Sequence, residues 1–195
     1  MQPDKEHKGV IHGRFQPLHN DHLTYLLAGK VRCDHIIVGI TNPDPVLTEE
    51  DPADPERSDS AANPLTYYQR FVLVRDALVE AGVDHRDFSI VPFPVNRPEL
   101  YGYYVPLDAV FFLTIYDDWG RRKRELFQSV GLHTEVMWER HIDLKGITGA
   151  EIRKRMAFSE PWEHLVPKSV ASLLNEWNVP RLVGATAAVK SAHVP

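Results

Sequence analysis

Apolar and polar positions fall along this chain in two kinds of block. Short, nearly continuous apolar runs stand at residues 8–12, 35–40 (His-Ile-Ile-Val-Gly-Ile), 88–91, 108–114 (Asp-Ala-Val-Phe-Phe-Leu-Thr) and 133–137. Runs of this length, rich in β-branched and aromatic residues, read as strands covered on both faces. Between and after them, residues 21–32, 64–81, 119–130, 148–158 and 168–176 read as helices. The second helix has two start signals, Asn63 with Pro64 at the first helical position and Thr66 with Gln69 three residues on; Gly131 ends the third. Strand and helix therefore alternate, which predicts an α/β fold with a parallel sheet and helices on both faces.

The expected architecture is a doubly wound, Rossmann-like sheet of five parallel strands with a small C-terminal helical segment. Ligands of such sheets bind beyond the carboxyl ends of the strands, where the strand order reverses. At 195 residues the chain fits one domain over residues 1–183. A polar excursion over 41–63 interrupts the alternation. It carries Asp44, Glu49, Glu50, Asp51, Asp54, Glu56 and Asp59 against Arg57, with four prolines interleaved. Its two readings are a solvated insertion and a mobile cover over a ligand site. Residues 184–195 are small and polar and read as a disordered tail.

Composition narrows the function. Apolar content of 43% and charge of 25% are those of an ordinary globular protein, and a net charge of −5 argues against general nucleic-acid binding. No run approaches the about 18 apolar residues of a membrane span, and the chain opens on polar residues rather than a signal peptide. The single cysteine, Cys33, excludes a disulfide framework and fits a reducing cytoplasm. It reads as a small packed residue, with a reactive thiol as the alternative.

The chemistry concentrates in Gly13-Arg14-Phe15-Gln16-Pro17-Leu18-His19-Asn20-Asp21-His22, on the turn between the first strand and the first helix. Two histidines three apart share one face of a helical turn, beside an arginine and the free N–H groups of a helix start. That combination suits a polyphosphate. A helix-capping pair, or a zinc site completed by Cys33 or His35, are the alternatives, and zinc lacks a second ligand pair at the usual spacing. A second stretch, Ile147-Thr148-Gly149-Ala150-Glu151-Ile152-Arg153, contains a Thr-x-x-Glu capping box, a glycine permitting close backbone approach, and a planar cation.

Together these stretches carry a resemblance. The first is similar to the Gly-Arg-Phe-x-Pro-x-His-x-Gly-His signature of the HIGH-type nucleotidyltransferases, especially the archaeal-type nicotinamide mononucleotide (NMN) adenylyltransferases. The second resembles their Ile-Ser-Gly-Thr-x-Ile-Arg. The likeness implies transfer of a nucleotidyl group from a nucleoside triphosphate to a small phosphate-bearing acceptor, with Mg²⁺ accompanying the triphosphate and pyrophosphate released. Arg14, His19, His22 and Arg153 are the implied catalytic set; Gly13, Phe15, Gln16, Ile147, Thr148 and Gly149 the implied nucleotide-binding set. Assembly into homo-oligomers is also implied.

Three departures bear on specificity. Asp21 replaces the signature glycine; it reads either as an acid in a helix first turn pointing to solvent, or as a change in nucleotide preference, a metal contact or a loss of activity. Ala150 removes a hydroxyl donor. Ile115-Tyr116-Asp117-Asp118 stands where the family has an asparagine-rich turn. On the acceptor side, Tyr103 or Tyr104 falls where the NMN enzymes stack an aromatic on nicotinamide, with rim packing an equal account. Asn96 and Arg97 are candidate contacts to an acceptor phosphate. The basic run 121–124 reads as a solvated helix face with one residue reaching the site.

ATP and NMN are the substrates implied most directly. A CTP-dependent enzyme acting on a small phosphorylated or phosphonate metabolite is the alternative. A nucleotide-binding regulator disabled by Asp21 is a third reading. A Rossmann dehydrogenase has no Gly-x-Gly-x-x-Gly after the first strand to support it.

Overall fold

Each apolar run becomes a strand. A computed structural model describes residues 6–45, 59–144 and 146–191. Its principal elements are β1 (Glu6–Gly13), α1 (Asn20–Lys30), β2 (Cys33–Ile40), α2 (Tyr67–Glu80), β3 (Phe88–Pro92), α3 (Tyr101–Tyr104), β4 (Val110–Ile115), α4 (Asp118–Ser129), β5 (His133–Glu139), α5 (Gly149–Ala157), α6 (Lys168–Glu176) and α7 (Val179–Ser191). The five strands are parallel, in the order β3-β2-β1-β4-β5. The chain winds outward from β1 through β2 and β3, then crosses to β4. The reversal therefore falls between β1 and β4, and a crevice opens beyond their carboxyl ends.

The period-two alternation of strand side chains divides the core between the two faces. Ile11, Val38 and Phe112 face one way and pack with Leu26 of α1, Leu73 of α2, Ile152 of α5 and Leu174 of α6. Their neighbours Val10, Ile37 and Phe111 face the other way, against Tyr101 of α3 and Phe127 of α4. Full coverage on both sides explains the unbroken apolar sequence of β2 and β4. The edge strand β5 has no fully buried residue and is correspondingly mixed in composition.

Three local outcomes differ from the sequence reading. The helix α2 starts after Thr66, whose hydroxyl accepts from Gln69 N–H while the Gln69 side chain returns to the Thr66 N–H. This reciprocal pairing satisfies two end groups at once and prevails over the Asn63–Pro64 signal. A short helix, α3, occupies the aromatic stretch at Tyr101. The tail read as disordered is helical to Ser191: α7 packs against α5 and α6, with Val179 and Val183 buried, and this tertiary packing prevails over its weak intrinsic helix preference. The acidic segment expected to be an insertion or cover lies largely outside the described residues, over 46–58.

Candidate active site

The end of β1 sets the position of the first motif. Phe15 adopts a left-handed backbone (φ 52°) with its ring fully buried, so the chain reverses sharply after Gly13. A Cβ on Gly13 would lie 3.0 Å from that ring, which leaves glycine as the residue that fits without displacing it. The turn delivers His19 to the N-cap of α1, where its Nδ1 accepts from the His22 N–H at 3.3 Å. The two imidazoles stack, with ring centres 3.6 Å apart and planes 23° off parallel; Phe15 meets His22 edge-on at 5.1 Å. Capping and ligand binding are therefore not rival readings of His19: one ring nitrogen caps and the other is left to face the crevice.

The second motif docks directly on the first. Thr148 caps α5 by accepting from the Glu151 N–H at 3.2 Å. The Glu151 carboxylate does not complete a capping box; it pairs with Arg155 one turn later at 2.9 Å. The Arg153 guanidinium donates to the Gln16 carbonyl, and a Cβ on Gly149 would stand 2.6 Å from that same oxygen. Glycine here permits the close approach of the two motifs. Asp21 supplies a further tie, its Oδ2 accepting from the Ile147 N–H at 2.7 Å. Asp21 is exposed, yet its carboxylate is directed at the second motif rather than at solvent.

Between them lies a cavity of about 410 Å³, lined on the side of the two motifs by Arg14, His19, His22, Thr148, Gly149 and Arg153. Burial holds the His19 imidazole neutral, lowering its pKa to about 4, with the Asp21 carboxylate opposing the shift. With Nδ1 accepting, the neutral ring carries its proton on Nε2 and can donate it to an oxyanion without being a cation itself. The folded protein takes up this proton only near pH 4, the unfolded chain near 6.5. Stability present above pH 6.5 is therefore lost as pH falls towards 4, by about 3 kcal/mol from this group. NMR titration of His19 is expected to show a neutral ring at pH 5.5; a midpoint near 6.5 would contradict its buried, capping placement.

Comparisons with known proteins bear on the family of the chain. No family model matches the chain. Over 177 residues it is 51% identical to a phosphonoformate cytidylyltransferase of Streptomyces viridochromogenes, covering 91% of this chain and 95% of that protein. A nicotinamide-nucleotide adenylyltransferase of Thermococcus onnurineus is 32% identical over 170 residues, 87% of this chain and 82% of that one. The chain belongs to the HIGH-type nucleotidyltransferases. A bifunctional NMN adenylyltransferase/ADP ribose pyrophosphatase of Francisella tularensis shares the fold, with a TM-score of 0.64 at 14% identity. That likeness covers 94% of this chain and 54% of the bifunctional chain, so the nucleotidyltransferase spans about half of that neighbour's length.

The enzyme brings together most of the residues expected from its motifs, in differing capacities. Gln16 lines the cavity, but its amide is spent on Leu65, donating to the carbonyl at 2.9 Å and accepting from the N–H at 3.0 Å. It is a tie between the β1 turn and the start of α2, not a free nucleotide contact. Phe15 acts as a packed support under His22. The Ile147 N–H is engaged by Asp21.

On the acceptor side Asn96 lines the cavity, whereas Arg97 is exposed and paired with Glu99 at 3.7 Å. Tyr103 is 83% exposed and Tyr104 packs against the α3–α4 core; neither lines the cavity. The aromatic of this segment that turns inward is Tyr101. It stacks on Phe93 at 4.7 Å and donates to the Val95 carbonyl. Helix α3 directs the ring into the core, a geometry that loop composition does not reveal. Cys33 is buried with its thiol directed to the Gly29 carbonyl. It and His35 stand at the start of β2, whereas His19 and His22 follow the carboxyl end of β1, so the length of the strands separates them and no zinc site unites them.

Sequence reasoning missed two further residues. His12 lines the cavity from the end of β1, its ring between Phe93 and Phe127 at 5.4 and 5.3 Å. Its signal was a polar residue closing an apolar strand. Arg70 is fully buried in α2 and donates to the carbonyls of Arg14, Thr41 and Asn42. An arginine at a core-facing helical position was the available sign.

Proposed function

We propose that this nucleotidyltransferase transfers a cytidylyl group from CTP to a phosphonate oxygen of a small carboxylated phosphonate, of which phosphonoformate is the type. The observation that carries the choice is the 51% identity, along almost the whole of both chains, to a phosphonoformate cytidylyltransferase, against 28–32% for the adenylyltransferase relatives. Tyr103 and Tyr104, the expected stacking partners of a nicotinamide ring, stand outside the cavity, whose aromatic lining includes Tyr116, Trp119 and Trp138.

In the reaction, a phosphonate oxygen attacks the α-phosphorus in line with the departing oxygen. The new P–O–P link forms as the bond to the β-phosphate breaks, and pyrophosphate leaves with the bonding electrons. No covalent intermediate on the protein is required. The residues contribute position and charge. Arg14 and Arg153 offset the triphosphate charge from opposite motifs. His19, neutral, donates from Nε2 to an oxygen that gains charge, and His22 stacks alongside it. The Thr148 cap orients the start of α5 towards the leaving phosphates.

Mg²⁺ fits this donor set as an ion that arrives on the triphosphate. Among the described residues no three His, Cys, Asp or Glu side chains are grouped to hold a metal, while Asp21 and Asp117 line the cavity. One or two carboxylates plus substrate phosphates is the usual environment of that ion, which supplies charge neutralisation when bound.

The test is pyrophosphate release with Mg²⁺, crossing CTP and ATP with phosphonoformate and NMN. Turnover with CTP and phosphonoformate is expected. Turnover confined to ATP and NMN would replace the proposal with NAD formation. Nucleotide binding with no pyrophosphate from any pair would favour a regulator.

A further inference from the structure

The main cavity continues into a smaller bay of about 180 Å³ between the residue 95–96 turn and α4, bounded by Val95, Asn96, Trp119, Arg122, Lys123 and Leu126. The two spaces share Val95, Asn96, Trp119 and Lys123. The bay lies on the α4 face of the sheet, the face that carries His12 at the end of β1. The phosphate motifs at α1 and α5 approach from the opposite face. A triphosphate held between those motifs leaves this bay to whatever projects from the acceptor's far end.

Its chemistry is that of a small-anion site. Lys123 is the half-buried member of the basic run; Arg121, Arg122 and Arg124 are exposed, and Arg121 pairs with Asp118 and Glu139. The Lys123 ammonium stands 4.3 Å from the centre of the Trp119 ring, a cation–π contact that orients it. Asn96 adds an amide donor and Arg122 a second cation. Val95, Leu126 and the indole supply apolar walls, near which a charge is screened less than in open water. The cavity carboxylates Asp21 and Asp117 do not line the bay. Its volume is below the about 300 Å³ at which drug-sized ligand pockets begin, and suits one compact group.

From this juxtaposition we infer that the bay is the subsite for the acceptor's carboxylate, with Lys123 and Asn96 as its specificity-determining residues. The inference rests on the proposed cytidylyl transfer to a carboxylated phosphonate and deepens it. Selectivity arises because an acceptor that carries the carboxylate gains charge-assisted contacts with Lys123 and Asn96 that an acceptor lacking it does not make.

The experiment compares kcat/KM for phosphonoformate and methylphosphonate, with CTP, in the wild type, Lys123→Gln and Lys123→Arg. The wild type is expected to favour phosphonoformate. Lys123→Gln should lower that preference about 10- to 100-fold, the worth of one hydrogen bond to a charged group. Lys123→Arg should keep most of the preference, and CTP affinity in both variants reports an intact nucleotide site. An unchanged preference in Lys123→Gln, or equal losses with both acceptors, overturns the inference and leaves the proposed function standing. A wild type that turns over neither phosphonate overturns both together.

Discussion

His22→Ala is expected to lower kcat by about 10²–10³, the loss that follows removal of one donor aimed at developing charge. The substitution is informative because the backbone N–H of residue 22, which pins His19 through Nδ1, survives in alanine. His19 therefore keeps its tautomer and its capping role, and what disappears is the stacked second imidazole lining the cavity. If the ring acts only as the transition state forms, kcat and kcat/KM fall by the same factor. A rise in KM with kcat unchanged would make it a ground-state contact. Retained turnover in a folded variant would remove His22 from the catalytic set.

The second large effect is expected far from any motif. Arg70→Met should destabilise the fold by about 3–5 kcal/mol, the cost of breaking a buried charged network from one side. Burial lowers the Arg70 pKa to about 10, so the guanidinium is still charged at neutral pH. Its Nη1 donates to Arg14 and Thr41 carbonyls at 3.1 and 2.7 Å, its Nη2 to Asn42 at 2.7 Å, and its Nε to Thr66 within its own helix at 3.3 Å. Methionine fills similar volume but leaves those carbonyls without the donor. A melting temperature lower by about 10 °C is the readout for a domain of this size. Activity should fall with it, because the carbonyls it gathers belong to the strand ends that flank the cavity. Lysine should rescue poorly: one ammonium cannot span carbonyls that a planar fork reaches. An unchanged melting temperature in Arg70→Met would show that water replaces the guanidinium at no cost.

The two predictions sit at opposite ends of what could be read in advance. His22 belongs to a motif whose elements are consecutive, so spacing alone places it beside His19, Arg14 and a helix start. Arg70 acts through three carbonyls that lie 28 to 56 residues away along the chain. Nothing local marks it except a charge where the helical period expects an apolar residue. Asp21 is intermediate. Its departure from the signature glycine was evident, but its partner, the Ile147 N–H, lies 126 residues away. Long-range contacts of this kind emerge only when packing fixes one element against another.

The sequence by itself determined the alternation of five strands and their covering helices, the place of the two motifs, and the family. These depend on periods of two and about 3.6, and on residue types at fixed short spacings, which the chain carries locally. Tertiary structure alone decided how the residues are used. It spent the Gln16 amide on Leu65, turned Tyr101 rather than Tyr103 or Tyr104 inward, left Arg97 at the surface, and brought His12 and Lys123 to the cavity. The physical reason is direction. Whether a polar or aromatic side chain meets substrate, core or solvent depends on the rotation of its element against neighbours distant in the chain, and that rotation is set by packing of both sheet faces.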